Sequence, residues 1–311
     1  MTWPVGDPQA LVLAVGLDLL LGDPPNRYHL VAWMGWLIER LRRVGPQAGR
    51  WRPLLAGAGI CVCGGLLSLA IAAVVGWLRS WSGMLGVLIE AVVLKMTFSV
   101  RGLAEAGAAV EACLRAGQLA EARRLLSWHL VSRDTSTLTE PLVAAAAIES
   151  VAENTNDSVV APWLFYLLAG LPAALAYRYA NTADAMLGYR DAQREWLGKV
   201  PARLDDGLNW LPARLTAVLV LLTGWVVGGR SVGAVRVWWR DAGQTASPNA
   251  GHPMAAAAGV LAVALPKPGH YWLGAGQRLP EAADLRRAIM LLDATAALAL
   301  VGAVLGLVWL R

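Results

Sequence analysis

At 311 residues the chain is long enough for one large domain or two small ones. Hydrophobic residues make up 57% of it and charged residues 16%, whereas soluble domains carry about 25% charged residues; with a mean hydropathy of +0.48, this excludes an ordinary water-soluble globule and asks for a bilayer. The formal charge of +5 reads as Lys and Arg in cytoplasmic loops facing anionic lipid, because the dense basic stripe with exposed aromatics that binds nucleic acid is missing.

In chain order, residues 10–21 are apolar but short, hold Asp18, and are broken by Gly22-Asp23-Pro24-Pro25. The N-terminal stretch carries Asp7 and no Lys or Arg before Arg27, so it lacks the basic start of a signal peptide. Residues 33–41 suit an amphipathic helix ending in Arg40, Arg42 and Arg43. Residues 53–78 contain no charge and form the clearest spanning helix, since about 20 apolar residues cross a bilayer. Residues 83–100 are a second span, interrupted only by Glu90 and Lys95, which are expected to face the bundle interior as structural partners. Residues 101–127 are polar and helical. Residues 158–177 are uncharged but contain Pro162, Gly170 and Pro172, which suits a bent or re-entrant helix. Residues 215–229 are marginal in length, residues 254–265 suit a short buried helix, residues 266–276 read as a Pro/Gly-rich loop, and residues 289–310 are a last span carrying Asp293. Trp77, Trp81 and Trp309 lie at the ends of apolar runs, as interfacial anchors do. Of the three cysteines, Cys61 and Cys63 sit inside an apolar run and read as small buried hydrophobes, not a disulfide or metal site.

Against this background the polar residues between 132 and 209 stand out, because polar groups in an apolar protein cost free energy unless paired. Glu149, Glu153 and Asp157 are spaced by four, twice, which lays three carboxylates along one helical stripe. A divalent cation would relieve their repulsion, and Mg²⁺ is held by a few carboxylates while keeping positions for water and phosphate oxygens. Asn154 and Asn156 add neutral oxygens. A polar face paired to Arg133, Arg178 or Arg203 explains the same spacing. Arg133 suits bidentate recognition of phosphate or carboxylate; Asp134 and Thr135 beside it also suit a helix N-cap. Asn181, Asp184 and Gly188 share a face, with Tyr189 at its edge, and Arg203, Asp205, Asp206 and Asn209 repeat the pattern of an Arg, two acids and an amide. No Cys/His cluster of the kind zinc takes is present, nor a phosphate-binding G-x-x-x-x-G-K-[ST] loop. His29 and His252 sit in Gly/Pro/Asn-rich turns and are secondary candidates, with Ser247 and Asn249 in the second of those turns.

The order and spacing of these motifs resemble the adenosylcobinamide-phosphate synthase family, the membrane amide synthases of cobalamin biosynthesis. The resemblance is carried by Gly22-Asp23-Pro24, His29, Met34-Gly35, Ser132-Arg133-Asp134-Thr135, Glu149-Ser150-Val151-Ala152-Glu153-Asn154, Asp157, Asn181-Thr182, Asp184, Gly188-Tyr189, Arg203, Asp205-Asp206, Asn209, Pro212-Ala213-Arg214 and Ser247-Pro248-Asn249-Ala250-Gly251. Leu30 departs from the pattern, which favours Pro after the histidine. The resemblance implies ATP- and Mg²⁺-dependent amide formation between adenosylcobyric acid and aminopropanol or its phosphate. It also implies membrane lipid and other late cobalamin-pathway enzymes as partners, and no nucleic acid. Glu149, Glu153 and Asp157 would serve metal or base work, Arg133 and Arg203 would hold phosphates, and Asp184, Asp205 and Asp206 would form a second metal or amine site. Asp134, Asn154, Asn181, Tyr189, Asn209, Ser247, Asn249 and His29 complete the expected binding set. A transporter with carboxylates along a cation path, and a scaffold for late corrinoid enzymes, are the competing classes; the first calls for acids within the spans and inverted halves.

The expected class is all-α: a polytopic integral membrane protein of the cell (inner) membrane, a single domain over residues 1–311. A polar, cytoplasm-facing site lies between its helices, borne by residues 129–253 or so. The five Arg in residues 40–52 place that loop in the cytoplasm, and residues 101–157 and 178–210 are then expected on the same side. Cysteines placed at Gln118 and Gln193 in a Cys-free background should label from one side of sealed vesicles. Labelling from opposite sides would mean that residues 158–177 cross and would divide the expected site.

Overall fold

The computed structural model describes residues 5–46, 48–189, 194–229 and 231–310, with the backbone alone at 231 and 232; Gln193 lies outside the described residues. Among the described residues the regular structure is helical apart from one two-stranded sheet. Among the described residues five helical segments are long and apolar enough to cross a membrane: Trp51–Trp81, Gly83–Arg115, Glu140–Leu187, Trp210–Val227 and Ala282–Trp309. This is the pattern of a multi-pass membrane protein. Trp77, Trp81 and Trp309 are exposed at the ends of these segments, where an amphipathic ring meets the headgroup layer.

The chain packs as two compact units that alternate along the sequence. The first holds α1 (Pro8–Leu21), α2 (Leu30–Val44), α3 (Trp51–Trp81), α4 (Gly83–Lys95), α8 (Ala161–Leu187), α9 (Lys199–Leu208) and the C-terminal end of α13 (Ala282–Trp309). α1 starts where Asp7 accepts hydrogen bonds from the amides of Gln9 (2.8 Å) and Ala10 (3.4 Å), and it stops at Gly22, whose φ of 70° suits glycine. One glycine of α3 has a clear steric reason: a Cβ on Gly64 would lie 2.0 Å from the Tyr179 ring, so only glycine lets α8 approach. The regular path of α8 is broken at Ala169 and Gly170, just before Pro172, as the composition of residues 158–177 suggested.

Glu90 and Lys95 do not pair with each other. Glu90 accepts from Arg79 (2.7 Å) and from the Tyr166 hydroxyl (2.7 Å), and Arg79 also binds Asp7. Lys95 donates to Asp18 on α1 (2.7 Å) and to Asp23 in the turn after it (2.5 Å), where Ser99 also donates (2.6 Å). Both are interior structural partners, though with other groups. Burial works to raise the pKa of Asp23, but hydrogen bonds from His29, Lys95 and Ser99 outweigh it and hold the carboxyl below its usual range.

The second unit holds α5 (Val100–Arg115), α6 (Leu119–His129), α7 (Glu140–Thr155), α10 (Trp210–Thr223), α11 (Ser231–Asp241), α12 (Gly251–Leu261), the hairpin and the rest of α13. α7 and α12 are alanine-rich and buried almost throughout, because small side chains let neighbouring backbones close in. A Cβ on Gly259 of α12 would lie 2.6 Å from the Ala234 Cα of α11. Residues 266–276, expected as an irregular loop, instead hold most of an antiparallel hairpin, β1 (Leu265–Lys267) and β2 (Tyr271–Leu273), with Lys267 opposite Tyr271. The three-residue turn between them, with Gly269 at φ 77°, is a hairpin signal that the Pro/Gly content masked.

Lys95 is the keystone of the first unit, since Asp18 is fully buried. Lys95→Met should lower stability by about 3–5 kcal/mol, the usual cost of removing one partner of a buried pair. Thermal unfolding in detergent checks this, and Asp18→Asn added to Lys95→Met should recover part of the loss. A single variant as stable as wild type would show that the network carries no net stability.

Candidate functional site

In the second unit, α7, the turn after α6 and the hairpin tip enclose a cleft of about 190 Å³. α7 contributes Glu149, Glu153 and Asn154, the turn contributes Ser132 and Arg133, and the hairpin contributes Lys267 and Tyr271. Glu149 is 5% exposed. Its Oε2 lies 3.5 Å from an Arg133 guanidinium nitrogen, while its Oε1 is buried without a hydrogen-bond partner. A buried carboxylate oxygen left unsatisfied is costly, and it is the feature of this cleft that asks for a ligand.

Three sets of bonds hold the walls. The Ser150 hydroxyl donates to the Leu130 carbonyl (2.6 Å), which ties α7 to the turn. Asn154 donates to the Ser150 carbonyl (3.0 Å) and accepts from Ser158 (3.3 Å), so its amide is engaged along its own helix. The hairpin is bolted by Asp241, fully buried at the end of α11, which accepts from Arg240 (2.7 and 2.8 Å), Gln244 (2.8 Å) and the Gly274 amide (2.7 Å).

Several expected residues have other work. Asp134 is exposed and accepts from the Ser136 amide (2.9 Å) and hydroxyl (3.0 Å), closing its own turn; those bonds hold its pKa below the usual carboxylate range. Thr135 is not a helix cap: its hydroxyl donates to the Arg123 carbonyl (2.9 Å), and the residue before α7 is Thr139. Asp157 does not line the cleft. A π turn, Asn156–Val160, begins just before it, so four-residue spacing no longer keeps it in line with Glu149 and Glu153. Asp157 accepts instead from the Asn156 amide (2.7 Å), whose carbonyl oxygen takes the Thr216 hydroxyl (3.0 Å). Among the described residues no group of three or more His, Cys, Asp or Glu gathers as a metal cage. Two carboxylates beside Arg133 and Lys267 nevertheless fit a Mg²⁺–phosphate complex, because Mg²⁺ is held by one or two carboxylates and by the phosphates themselves; the unsatisfied Oε1 of Glu149 supports the fit.

Ser247 and Asn249 lie at the start of α12. The Ser247 hydroxyl accepts from the amides of Asn249 (3.2 Å) and Ala250 (3.4 Å), and the Asn249 carbonyl accepts from Arg214 (3.3 Å). Nearby His252 accepts from the Trp238 indole (3.1 Å), and burial together with the Arg214 charge holds its pKa down to about 4.

The first unit collects the remaining candidates. Asp205 accepts from Asn181 (3.2 Å) and from Asn209 (3.0 Å), and the Tyr177 hydroxyl donates to the Asn209 carbonyl (2.9 Å). The expected face of Asn181 and the Asp205–Asn209 pair thus meet as one hydrogen-bonded group. Asp184 sits against Gly188, where a Cβ would lie 2.1 Å from its Oδ1. Arg203 is exposed and only loosely paired with Asp206, at 3.6 Å. Tyr189 is exposed and stacks under Arg194, 4.1 Å from the ring centre. His29 caps α2, accepting from the Val31 amide (3.2 Å), with its other ring nitrogen 3.6 Å from Asp23. Sequence reasoning did not single out Lys267 or Tyr271, because both fall in the segment read as a loop.

Helices long enough to span a membrane, together with a mixed-charge cleft that holds an unsatisfied buried carboxylate, define a membrane-type protein with a polar cleft. A family model described as CobD/Cbib protein matches residues 11–301. The cobalamin biosynthesis protein CobD of Dehalococcoides mccartyi (strain CBDB1) is 42% identical over 264 residues, 85% of each chain. The protein of the same name from Klebsiella pneumoniae subsp. pneumoniae is 38% identical over 303 residues, 91% of this chain and 92% of its own. The cobalamin biosynthesis protein CbiB of Salmonella typhimurium (strain LT2) is 36% identical over 311 residues, 94% of each. No solved structure matches the chain. The chain belongs to the CobD/CbiB family.

The depressed pKa of His252 gives a pH dependence with a definite sign. Between about 4 and the ordinary value of 6.5, the unfolded chain binds a proton that the folded chain does not, so stability rises with pH across that window and is level above it. Thermal unfolding in detergent from pH 4 to 8 should show this rise, and His252→Gln should flatten part of it. An unchanged slope in the variant would mean that His252 is protonated in the folded protein.

Proposed function

We propose that this protein works in cobalamin biosynthesis as an ATP-dependent carbon–nitrogen ligase. It joins a propionate carboxylate of adenosylcobyric acid to the amine of aminopropanol or its phosphate, at a site facing the cytoplasm from the cell (inner) membrane. Support comes from family membership, from relatives named for cobalamin biosynthesis over nearly their whole length, and from the motifs that led to the resemblance. The observation that carries the reading is Glu149, a buried carboxylate with one oxygen unsatisfied, lining a cleft together with Arg133 and Glu153.

The chemistry explains why such a cleft is needed. A carboxylate is a poor electrophile. Attack of the substrate carboxylate oxygen on the terminal phosphorus of ATP, with ADP leaving, turns it into an acyl phosphate. The amine nitrogen then attacks the acyl carbon and phosphate departs. Arg133 holds phosphate oxygens with its planar fork and offsets their charge. Glu149 would hold Mg²⁺, which would supply further charge neutralisation on those oxygens. The amine attacks only as the free base, so a carboxylate must accept its proton; in this reading Glu153, half-buried at the cleft wall, takes that role. Asp205, with Asp184 and Asp206, is proposed as a second metal or amine site, and Arg203 as a further phosphate contact. Membrane lipid and other late corrinoid enzymes are the proposed partners.

The test is conversion of adenosylcobyric acid by the detergent-purified protein, followed by mass spectrometry. Amide should form only with ATP, Mg²⁺ and the amine together, releasing one phosphate for each amide. Glu153→Gln should fold as wild type and lower turnover by about a hundredfold, near the low end of what a positioned proton acceptor contributes. Amide formation without ATP consumption would refute the ligase, and full turnover by Glu153→Gln would remove that residue from its role.

A further inference from the structure

The hairpin brings to the cleft a cation that the scheme above does not use. Lys267 ends β1 opposite Tyr271, across the tight turn 268–270. Its ammonium lies 5.5 Å over the Tyr271 ring, and both residues line the cleft with Glu149 and Arg133. Every other long-range cation described above sits on an oxygen: Lys95 on Asp18 and Asp23, Arg79 on Asp7 and Glu90. Lys267 forms no salt bridge among the described residues; it rests on a ring, which steadies the ammonium and leaves its three N–H donors for a ligand. The tip that carries it is preorganised. Asp241 grips the Gly274 amide behind β2, and the Ala264 amide ahead of β1 donates to the Arg278 carbonyl (2.7 Å). A rigid mount of this kind reduces the entropy lost on binding. Arg133 on the opposite wall is held only at 3.5 Å by Glu149, so two cations converge on the same space.

We infer that Lys267 is a substrate-binding residue which, together with Arg133, grips a phosphoryl group in this cleft. The inference rests on the proposed function insofar as a substrate must carry phosphate. Two sources share that chemistry: the terminal phosphate of ATP and the phosphate ester of the amine. The bland alternative is that Lys267 only balances the charge of Glu149 and Glu153 through space.

The experiment measures binding without turnover. ATP, aminopropanol phosphate and plain aminopropanol are titrated one at a time into the detergent-purified full chain, as wild type, Lys267→Met and Lys267→Arg. The methionine keeps the stem against the Tyr271 ring, and the arginine keeps the charge. Lys267→Met should weaken one phosphorylated probe by about tenfold or more, as expected for loss of a charge-assisted hydrogen bond, and leave plain aminopropanol unchanged. Lys267→Arg should retain most of the affinity. Weakening confined to ATP identifies the nucleotide as the source, and weakening confined to aminopropanol phosphate identifies the ester. Unchanged affinity for both phosphorylated probes overturns the inference, as does equal weakening of all three or a wild type that binds neither phosphorylated probe. Should wild type bind through Lys267 yet form no amide, the ligase reading fails while the phosphoryl site stands.

Discussion

A charge buried in an apolar helical protein must find a partner, and this constraint organises both units. Asp18, Asp241 and Asp284 are each almost wholly buried and each is met by cations: Lys95, Arg240, and the pair Arg278 and Arg287. Each acid also ties one element to another: Asp18 through Lys95, Asp241 through the Gly274 amide of the hairpin, and Asp284 through Arg278, so the acids act as rivets. Lys95 fastens α1 to α4; Asp284 receives Arg278 from the segment after the hairpin at 2.7 Å. Glu149 breaks the pattern. Its nearest cation stands at 3.5 Å and one oxygen has no partner. Where every other deeply buried acid among the described residues is satisfied, the unsatisfied one is the place where binding a ligand would return free energy that folding left unclaimed.

The rivets also explain how a site can be held without dedicated scaffolding. The cleft has one wall from a buried helix, one from a turn closed by Asp134 and Thr135, and one from a hairpin fixed by Asp241. Removing the bonds of Asp134 to Ser136, or of Thr135 to Arg123, would loosen the loop that aims Arg133. The residues beside Arg133 in its motif therefore matter for position, while Arg133 itself lines the cleft. One motif contains both kinds of residue, and only the hydrogen-bond partners separate them.

Much of this was legible in the sequence. Gly22-Asp23-Pro24 ends α1 because glycine takes a positive φ there, and Gly170 with Pro172 breaks α8 as composition suggested. The four-residue spacing of Glu149 and Glu153 puts both on the cleft, since α-helical periodicity holds through that stretch. Asp157 fell out of line because a π turn changes the period, and a turn of that kind leaves no mark in spacing. The partners of Lys95 lie 77 and 72 residues away, so no local pattern could assign them. Lys267 and Tyr271 were missed for a different reason: Pro and Gly counts suggested loop, although a short turn flanked by Leu265 and Tyr271-Trp272-Leu273 also fits a hairpin.

The charge balance of the cleft bears on what it accepts. Arg133 and Lys267 face Glu149 and Glu153, so the lining is close to neutral as a whole and polarised within. A neutral apolar ligand would strand all four groups, at the desolvation cost that unpaired charges carry in a low-dielectric site. A purely anionic ligand would satisfy the two cations and press against the two acids unless a cation came with it. A ligand carrying both signs, whether a phosphate with its Mg²⁺ or a phosphate ester bearing an ammonium, matches both halves at once. The geometry therefore suits ligands of mixed charge before any particular substrate is considered, and the proposed amide formation driven by ATP would bring two such ligands to one protein.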